Sequence, residues 1–221
     1  MRIIKIHNKL DIRLDNIFIP IPKTGSTSLK CFINQSNISF LPHPDKHASM
    51  KMFIQHYNIR KILDAFSFTI VRNPYDRLVS LYFHILRRHK ENNLHHIHDP
   101  DLQGEVPEES FRDFVFNQLE RCVTLTKQQS HMILHPQTDW ILYRKKKIVK
   151  RILKFEDIFF KDPSKLKHIL NIKENFQLSH LNKTNHKKWP SYYDHSTQEF
   201  VYKIYEKDFA LLKYSKKILT K

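Results

Sequence analysis

The chain has 221 residues, 40% of them hydrophobic and 12% aromatic, which suits one packed domain and excludes a disordered or low-complexity polypeptide. Lys and Arg number 38 against 22 Asp and Glu, a net charge of +16, so the composition favours an anionic ligand without saying which one. Two cysteines make no disulfide framework, and no apolar run reaches membrane-spanning length.

Residues 1–15 are charged, with a short edge strand expected at Arg2–Ile6. Ile17, Phe18, Ile19 and Ile21 then read as a strand that breaks at Pro22. Leu29, Phe32 and Ile33 follow at helical spacing, with Cys31 expected on the apolar side. Between strand and helix lies a loop carrying Lys23, Thr24, Gly25, Ser26, Thr27 and Ser28. Unpaired N–H groups at a helix start, three flanking hydroxyls and one ammonium make an anion site. Gly25 is one of two glycines in the chain, which points to a positive φ or a close approach there. The loop is not a Walker A motif, because its lysine precedes a single glycine.

Ile38–Leu41 reads as a second short strand. A turn-rich loop over 42–49 contains His43 and His47, a helix runs from near Ala48 to Tyr57, and a short one covers 58–64. Residues 66–71 form a β-rich run, and Asn73, Pro74 and Asp76 suit the N-cap, N1 and N3 of a helix reaching about Lys90. Asp76 is expected to answer the cap. Arg72 thus leaves a strand end and Ser80 lies about two turns into the helix, a fork and a hydroxyl fit for a second phosphate. Residues 91–107 read as an exposed loop. Its His95, His96 and His98 lack a matching ligand set, so no metal is expected. A helix over Ser110–Glu120, a solvated basic run at 144–147, a strand over Val149–Phe155 and a helix from Asp162-Pro163 to about Leu170 follow. A basic, aromatic loop over 179–193 and a last helix over 195–213 complete the chain. The alternation predicts an α/β fold, a mainly parallel sheet with helices on both faces, in a single domain over 1–221.

Pro-Lys-Thr-Gly-Ser-Thr-Ser at 22–28 resembles the 5′-phosphosulfate loop of sulfotransferases, and Arg-Asn-Pro-Tyr-Asp-Arg-Leu-Val-Ser at 72–80 resembles their 3′-phosphate motif. The similarity is to the carbohydrate-type branch, sulfotransferase family 2-like, and extends over about residues 16–214. It implies a P-loop-like three-layer sandwich of about four or five strands, near 17–21, 38–41, 66–71 and 149–155. It also implies an acidic residue after the last of these, Glu156, that caps or orients a neighbouring helix.

The donor implied by the resemblance is 3′-phosphoadenosine 5′-phosphosulfate, PAPS, with a hydroxyl on a carbohydrate as acceptor. Lys23 to Ser28 would hold the phosphosulfate, and Arg72 with Ser80 the 3′-phosphate. Lys183 and Tyr192 resemble positions of a late loop that closes over the donor. Lys23 would neutralise the departing oxygen, and His47 is the expected general base, with His43 and an unassigned acid as alternatives. The competing functions are a non-enzymatic anion- or nucleic-acid-binding module and a nucleotide kinase. The family's lumenal members carry an N-terminal anchor. Lacking one, the chain is expected to be cytoplasmic, or else a lumenal catalytic domain freed of its anchor.

Overall fold

The computed structural model describes residues 16–35, 38–43, 45–90, 110–120, 123, 133–172 and 186–217. In chain order, β1 (Asn16–Ile19), α1 (Ser26–Gln35), α2 (Met50–Tyr57), α3 (Ile59–Asp64), β2 (Phe66–Val71) and α4 (Pro74–Lys90) form the first half. Then come α5 (Phe111–Phe114), continued by a π-helical turn over Val115–Leu119, and α6 (Thr138–Ile141). The hairpin strands β3 (Leu142–Tyr143) and β4 (Lys146–Lys147) precede β5 (Arg151–Lys154), a second π-helical turn (Asp157–Lys161) and α7 (Ser164–Ile169). A 3-10 turn (Trp189–Tyr192), α8 (His195–Ile204) and α9 (Glu206–Leu212) close the fold. The expected edge strand near residue 2, the histidines at 95–98 and Lys183 lie outside the described residues.

β1, β2 and β5 make one parallel sheet in the order β1-β2-β5. Ile19 pairs with Thr69, and Val71 with Lys154, so the three strands end on the same side. The period-2 alternation of side chains sorts them onto two faces. Ile17, Ile19 and Val71 join Met50, Phe53, Ile62 and Trp140, which places α2, α3 and α6 on one face. Phe18, Phe68 and Ile70 join Leu29, Ile158 and Leu166, which places α1 and α7 on the other. The arrangement is the expected sandwich of helices on both faces of a parallel sheet. A third apolar cluster ties α4, through Leu78, Leu81 and Tyr82, to α5 and α8.

Among the described residues the main sheet has three strands where four or five were expected. The segment at 38–41 contributes only an isolated parallel bridge from Phe40 to Asn16. Asn16 spends both its backbone N–H and its side-chain amide on Ser39 O, and Pro42 follows with no N–H to donate, so the ladder does not extend. The basic run at 144–147 is exposed and turns the β3–β4 hairpin, with Arg144 and Lys145 at φ 48° and 62°. The single last helix is two helices. α8 starts from a capping box of Asp194 and Thr197 and ends at Tyr205, whose ψ of 21° leaves the helical range. Cys31 is exposed, not core; on α1 the buried apolar face is carried by Leu29.

Candidate active site

The parallel register sets the end of β1 beside the end of β2, so the loop after Ile19 and the residue after Val71 become neighbours. Thr69 locks this junction by donating its hydroxyl to Ile19 O at 2.7 Å. Ligands gather at such strand ends in open α/β sheets.

The loop is shaped by two left-handed residues. Gly25 has φ +81°, as its scarcity suggested, and a Cβ there would lie 2.5 Å from the Phe159 ring and 3.2 Å from Phe155. The close approach is therefore made by the protein's own rings. Lys23 has φ 66°, a conformation that a non-glycine residue adopts at a cost of about 1–2 kcal/mol. The sequence reading assigned positive φ to Gly25 alone. The helical ladder of α1 begins with Leu29 N–H donating to Gly25 O, so Ser26 and Thr27 N–H precede the first intrahelical bond. Thr27 is exposed, while Ser26 and Ser28 are buried. Thr24 is fully buried and donates its hydroxyl to Ile21 O at 2.9 Å. Its hydroxyl hydrogen braces the loop and cannot also donate to an anion; its backbone N–H is what it can offer.

Lys23 is surrounded by positive charge. Burial first, then Arg72 and Arg87, push its ammonium down to about 7. Arg72 is mostly buried and fully braced. Nε donates to Asp76 Oδ2 and Nη2 to Asp76 Oδ1, both at 2.8 Å, while Nη1 donates to Lys23 O at 3.2 Å. The guanidinium lies 4.4 Å above the Phe155 ring, and Phe155 stacks on Phe159 at 4.5 Å. One aromatic pair thus backs both Gly25 and Arg72. Of the five N–H groups of Arg72, one on Nη1 and one on Nη2 remain beyond these three bonds. Ser80 is buried one turn beyond Asp76 on α4.

Asp76 therefore does not answer the helix cap. Asn73 is the cap, accepting Tyr75 N–H at its Oδ1, and the Asn73 N–H goes to Glu156 Oε1 at 2.7 Å. The strand-end Glu156 thus orients the start of α4, and Tyr214 holds it by donating to Oε2 at 2.9 Å. Arg77 is buried and ties the loop down, donating from Nε to Pro22 O and from its two Nη atoms to His135 O and Ile133 O. Gln137 fixes the Arg72 backbone from both sides, accepting its N–H at Oε1 and donating from Nε2 to its O. Asp208, buried in α9, accepts the N–H of Gln137 and Thr138.

His47 sits on the turn before α2. Its Nδ1 lies 3.0 Å from Pro20 O, and a carbonyl only accepts, so Nδ1 carries the proton and Nε2 the lone pair. Burial lowers its pKa, the Pro20 bond opposes this, and Lys30 and Lys46 lower it further, so the ring is neutral near pH 7. Trp140 Nε1 donates to His47 O at 3.0 Å, and Lys30, from α1, donates to Lys46 O at 2.6 Å. His43 instead packs 5.0 Å from the Phe53 ring.

The structure brings Lys23, Gly25, Ser26, Arg72 and His47 to one end of the sheet. Tyr192 packs against Phe83 of α4 and Phe111 at 5.2 and 5.9 Å, and its hydroxyl accepts Lys187 N–H. Asp76 was read for the cap and not as the partner of Arg72, and Gln137 and Asp208 escaped the sequence reading. Among the described residues no cluster of three metal-ligating side chains occurs, and no helix is long and apolar enough to cross a membrane.

The family model described as Sulfotransferase family matches residues 15–215. No curated protein and no solved structure matches the chain. The matched span includes both strand-end motifs and the buried residues that brace them, and the chain belongs to the sulfotransferase family.

Proposed function

We propose that the chain moves a sulfuryl group from 3′-phosphoadenosine 5′-phosphosulfate to a hydroxyl group on a carbohydrate acceptor. One observation carries this reading. Two cationic groups prepared for anions, Lys23 and the outer N–H pair of Arg72, stand on adjacent parallel strand ends joined by the 3.2 Å bond from Arg72 Nη1 to Lys23 O. A donor with a phosphosulfate at one end and a monoester phosphate at the other needs two such sites.

In this reading the start of α1 and Lys23 bind the phosphosulfate, and Arg72 with Ser80 binds the 3′-phosphate. An anion beside Lys23 restores its full charge, because the bound anion favours the ammonium. As the S–O bond to the nucleotide breaks, its electrons pass to the departing phosphate oxygen, and Lys23 stabilises that charge. The acceptor oxygen forms the new S–O bond and gives up its proton, which His47 takes at Nε2. Lys30 and the Pro20 carbonyl position His47 for that transfer.

Calorimetry of adenosine 3′,5′-bisphosphate against ATP tests the donor assignment. Preference for the bisphosphate, with transfer of labelled sulfate to a glycan panel, is the expected result. Preference for ATP sinks the reading in favour of a kinase.

A further inference from the structure

The segment that follows α9 has no role in the transfer proposed above, yet it closes on the Arg72 motif at two points. α9 is capped by Lys213, whose φ of 56° turns the chain. Tyr214 then sets its hydroxyl between the ends of β2 and β5, 2.9 Å from Glu156 Oε2 and 3.3 Å from Val71 O. A phenol has one proton, and the nearer, charged partner takes it. Lys216 O accepts the hydroxyl of Tyr75, from the same motif, at 2.8 Å. The tyrosine is itself held. Lys154, the register partner of Val71, places its ammonium 4.3 Å from the centre of the Tyr214 ring and donates to Lys213 O at 2.9 Å. Burial, and then the Glu156 carboxylate, push the phenol far above its ordinary pKa, so it stays a donor at any working pH.

From Tyr214 the contact runs on through one carboxylate. Glu156 takes the Tyr214 proton on Oε2 and the Asn73 N–H, at 2.7 Å, on Oε1. Asn73 caps α4, so the place of Glu156 sets where the first turn of that helix begins. The turn carries Asp76, whose two oxygens hold the Arg72 fork, and the next turn carries Ser80. A pair four residues apart is only as well placed as the turn between its members. The loop that carries Lys23 has ties of its own, from Thr69 to Ile19 O and from Thr24 to Ile21 O. Slack at Tyr214 would therefore be felt first at Arg72 and Ser80.

We propose that Tyr214 is a positioning residue for donor selectivity. Through Glu156 and the Asn73 N–H it sets Arg72 and Ser80 for the 3′-phosphate, and it leaves the 5′ end of the nucleotide untouched. This rests on the donor reading above. A fork and a hydroxyl already in place lose little freedom when the phosphate arrives, so the hold becomes affinity for the bisphosphate alone.

The test is calorimetry of adenosine 3′,5′-bisphosphate and adenosine 5′-monophosphate with the full chain and its variants. Tyr214→Phe keeps the ring beside Lys154 and removes only the hydroxyl. It is expected to weaken the bisphosphate about three- to tenfold and the monophosphate less than about twofold, the second value also showing that the variant is folded. Glu156→Gln keeps an oxygen for Asn73 and offers an amide N–H to the Tyr214 oxygen, so it should hold the preference within about twofold. Glu156→Ala should lose at least as much preference as Tyr214→Phe does. Adding Tyr214→Phe to Glu156→Ala should then cost less than about a further twofold, because both break one relay. A Tyr214→Phe chain that binds both nucleotides like the wild type, or loses both equally, overturns the proposal, as do fully additive losses in the double variant. Failure of the wild-type chain to prefer the bisphosphate overturns instead the donor reading on which the proposal rests.

Discussion

Lys23 and Arg72 stand on neighbouring strand ends, carry the same charge and are prepared in opposite ways. Arg72 meets an acidic partner, Asp76, in a two-pronged pair and rests on the Phe155 ring. Lys23 meets mainly other cations, in a left-handed backbone conformation, with its pKa down at about 7. The braced arginine spends little on ordering when an anion arrives, as suits a residue that holds an unchanging group. The bare lysine gains most when negative charge appears beside it, as suits a residue that meets charge created by the reaction.

The sharpest way to break this contrast is to remove the bare side. Lys23→Ala should lower kcat by about two orders of magnitude or more, with a smaller loss of donor affinity, in single-turnover sulfate transfer paired with calorimetry. Lys23→Arg should restore little, since a planar fork does not fill the place of a compact ammonium. If the alanine variant transfers normally once saturated, Lys23 only binds. His47→Ala should act on the same step, lowering kcat by about 10²–10⁴ while bisphosphate affinity stays nearly intact; normal turnover would pass the role of base to another group.

Removing the braced side should look different. Arg72→Ala should weaken the bisphosphate roughly tenfold or more and a 5′-monophosphate analogue far less, because a hydrogen bond to a charged group is worth about 1.5–3 kcal/mol. Equal losses for both would detach Arg72 from the 3′-phosphate.

The pH dependence separates the two residues without mutation. Lys23 in the ligand-free protein has a pKa lowered from 10.5 to about 7, and a bound anion raises it again. Above pH 7 the complex therefore holds one proton more than the free protein. Nucleotide affinity should fall as pH rises from about 7, by at most about tenfold per unit, and be flat with respect to this group below it. Calorimetry in buffers of different ionisation enthalpy should count one proton taken up near pH 8; none would mean that the lysine is already charged.

The smallest expected effect is at Thr24. Its hydroxyl is committed to Ile21 O, so Thr24→Val should cost about 1 kcal/mol of stability in a denaturant titration and change donor affinity less than about twofold. A tenfold loss of affinity would put that hydroxyl on the donor.

The parts of this site that were legible in the sequence are those fixed by near neighbours. The strand, the loop glycine and the helix start read out from period and turn chemistry, as did Asn73 as cap. Glu156 was placed through the resemblance and not by pattern. What stayed hidden was set by partners far along the chain. Gln137 lies 65 positions from the Arg72 backbone it grips, and Asp208 another 71 from Gln137. No local pattern marks either. Asp76 was assigned to the cap because sequence shows spacing and not that Arg72, four residues earlier, would compete for it. Thr24 read as a ligand because a hydroxyl in a loop does not announce which way it turns. The expected strand at 38–41 shrank to a single bridge, where Asn16 takes up Ser39 O with its side chain as well as its backbone and Pro42 brings no N–H to continue the ladder.

The long reach of that Arg72–Gln137–Asp208 chain has a consequence for how the protein is made. Synthesis runs from the N-terminus, and domains fold as their residues emerge. The strand-end motifs emerge early, but Asp208 must be out before Gln137 is held, and Gln137 before the Arg72 backbone is. A nascent chain halted between the two therefore carries both anion motifs and neither brace. Competence for the nucleotide should appear on arrested ribosomes as a late step, once α9 has cleared the tunnel.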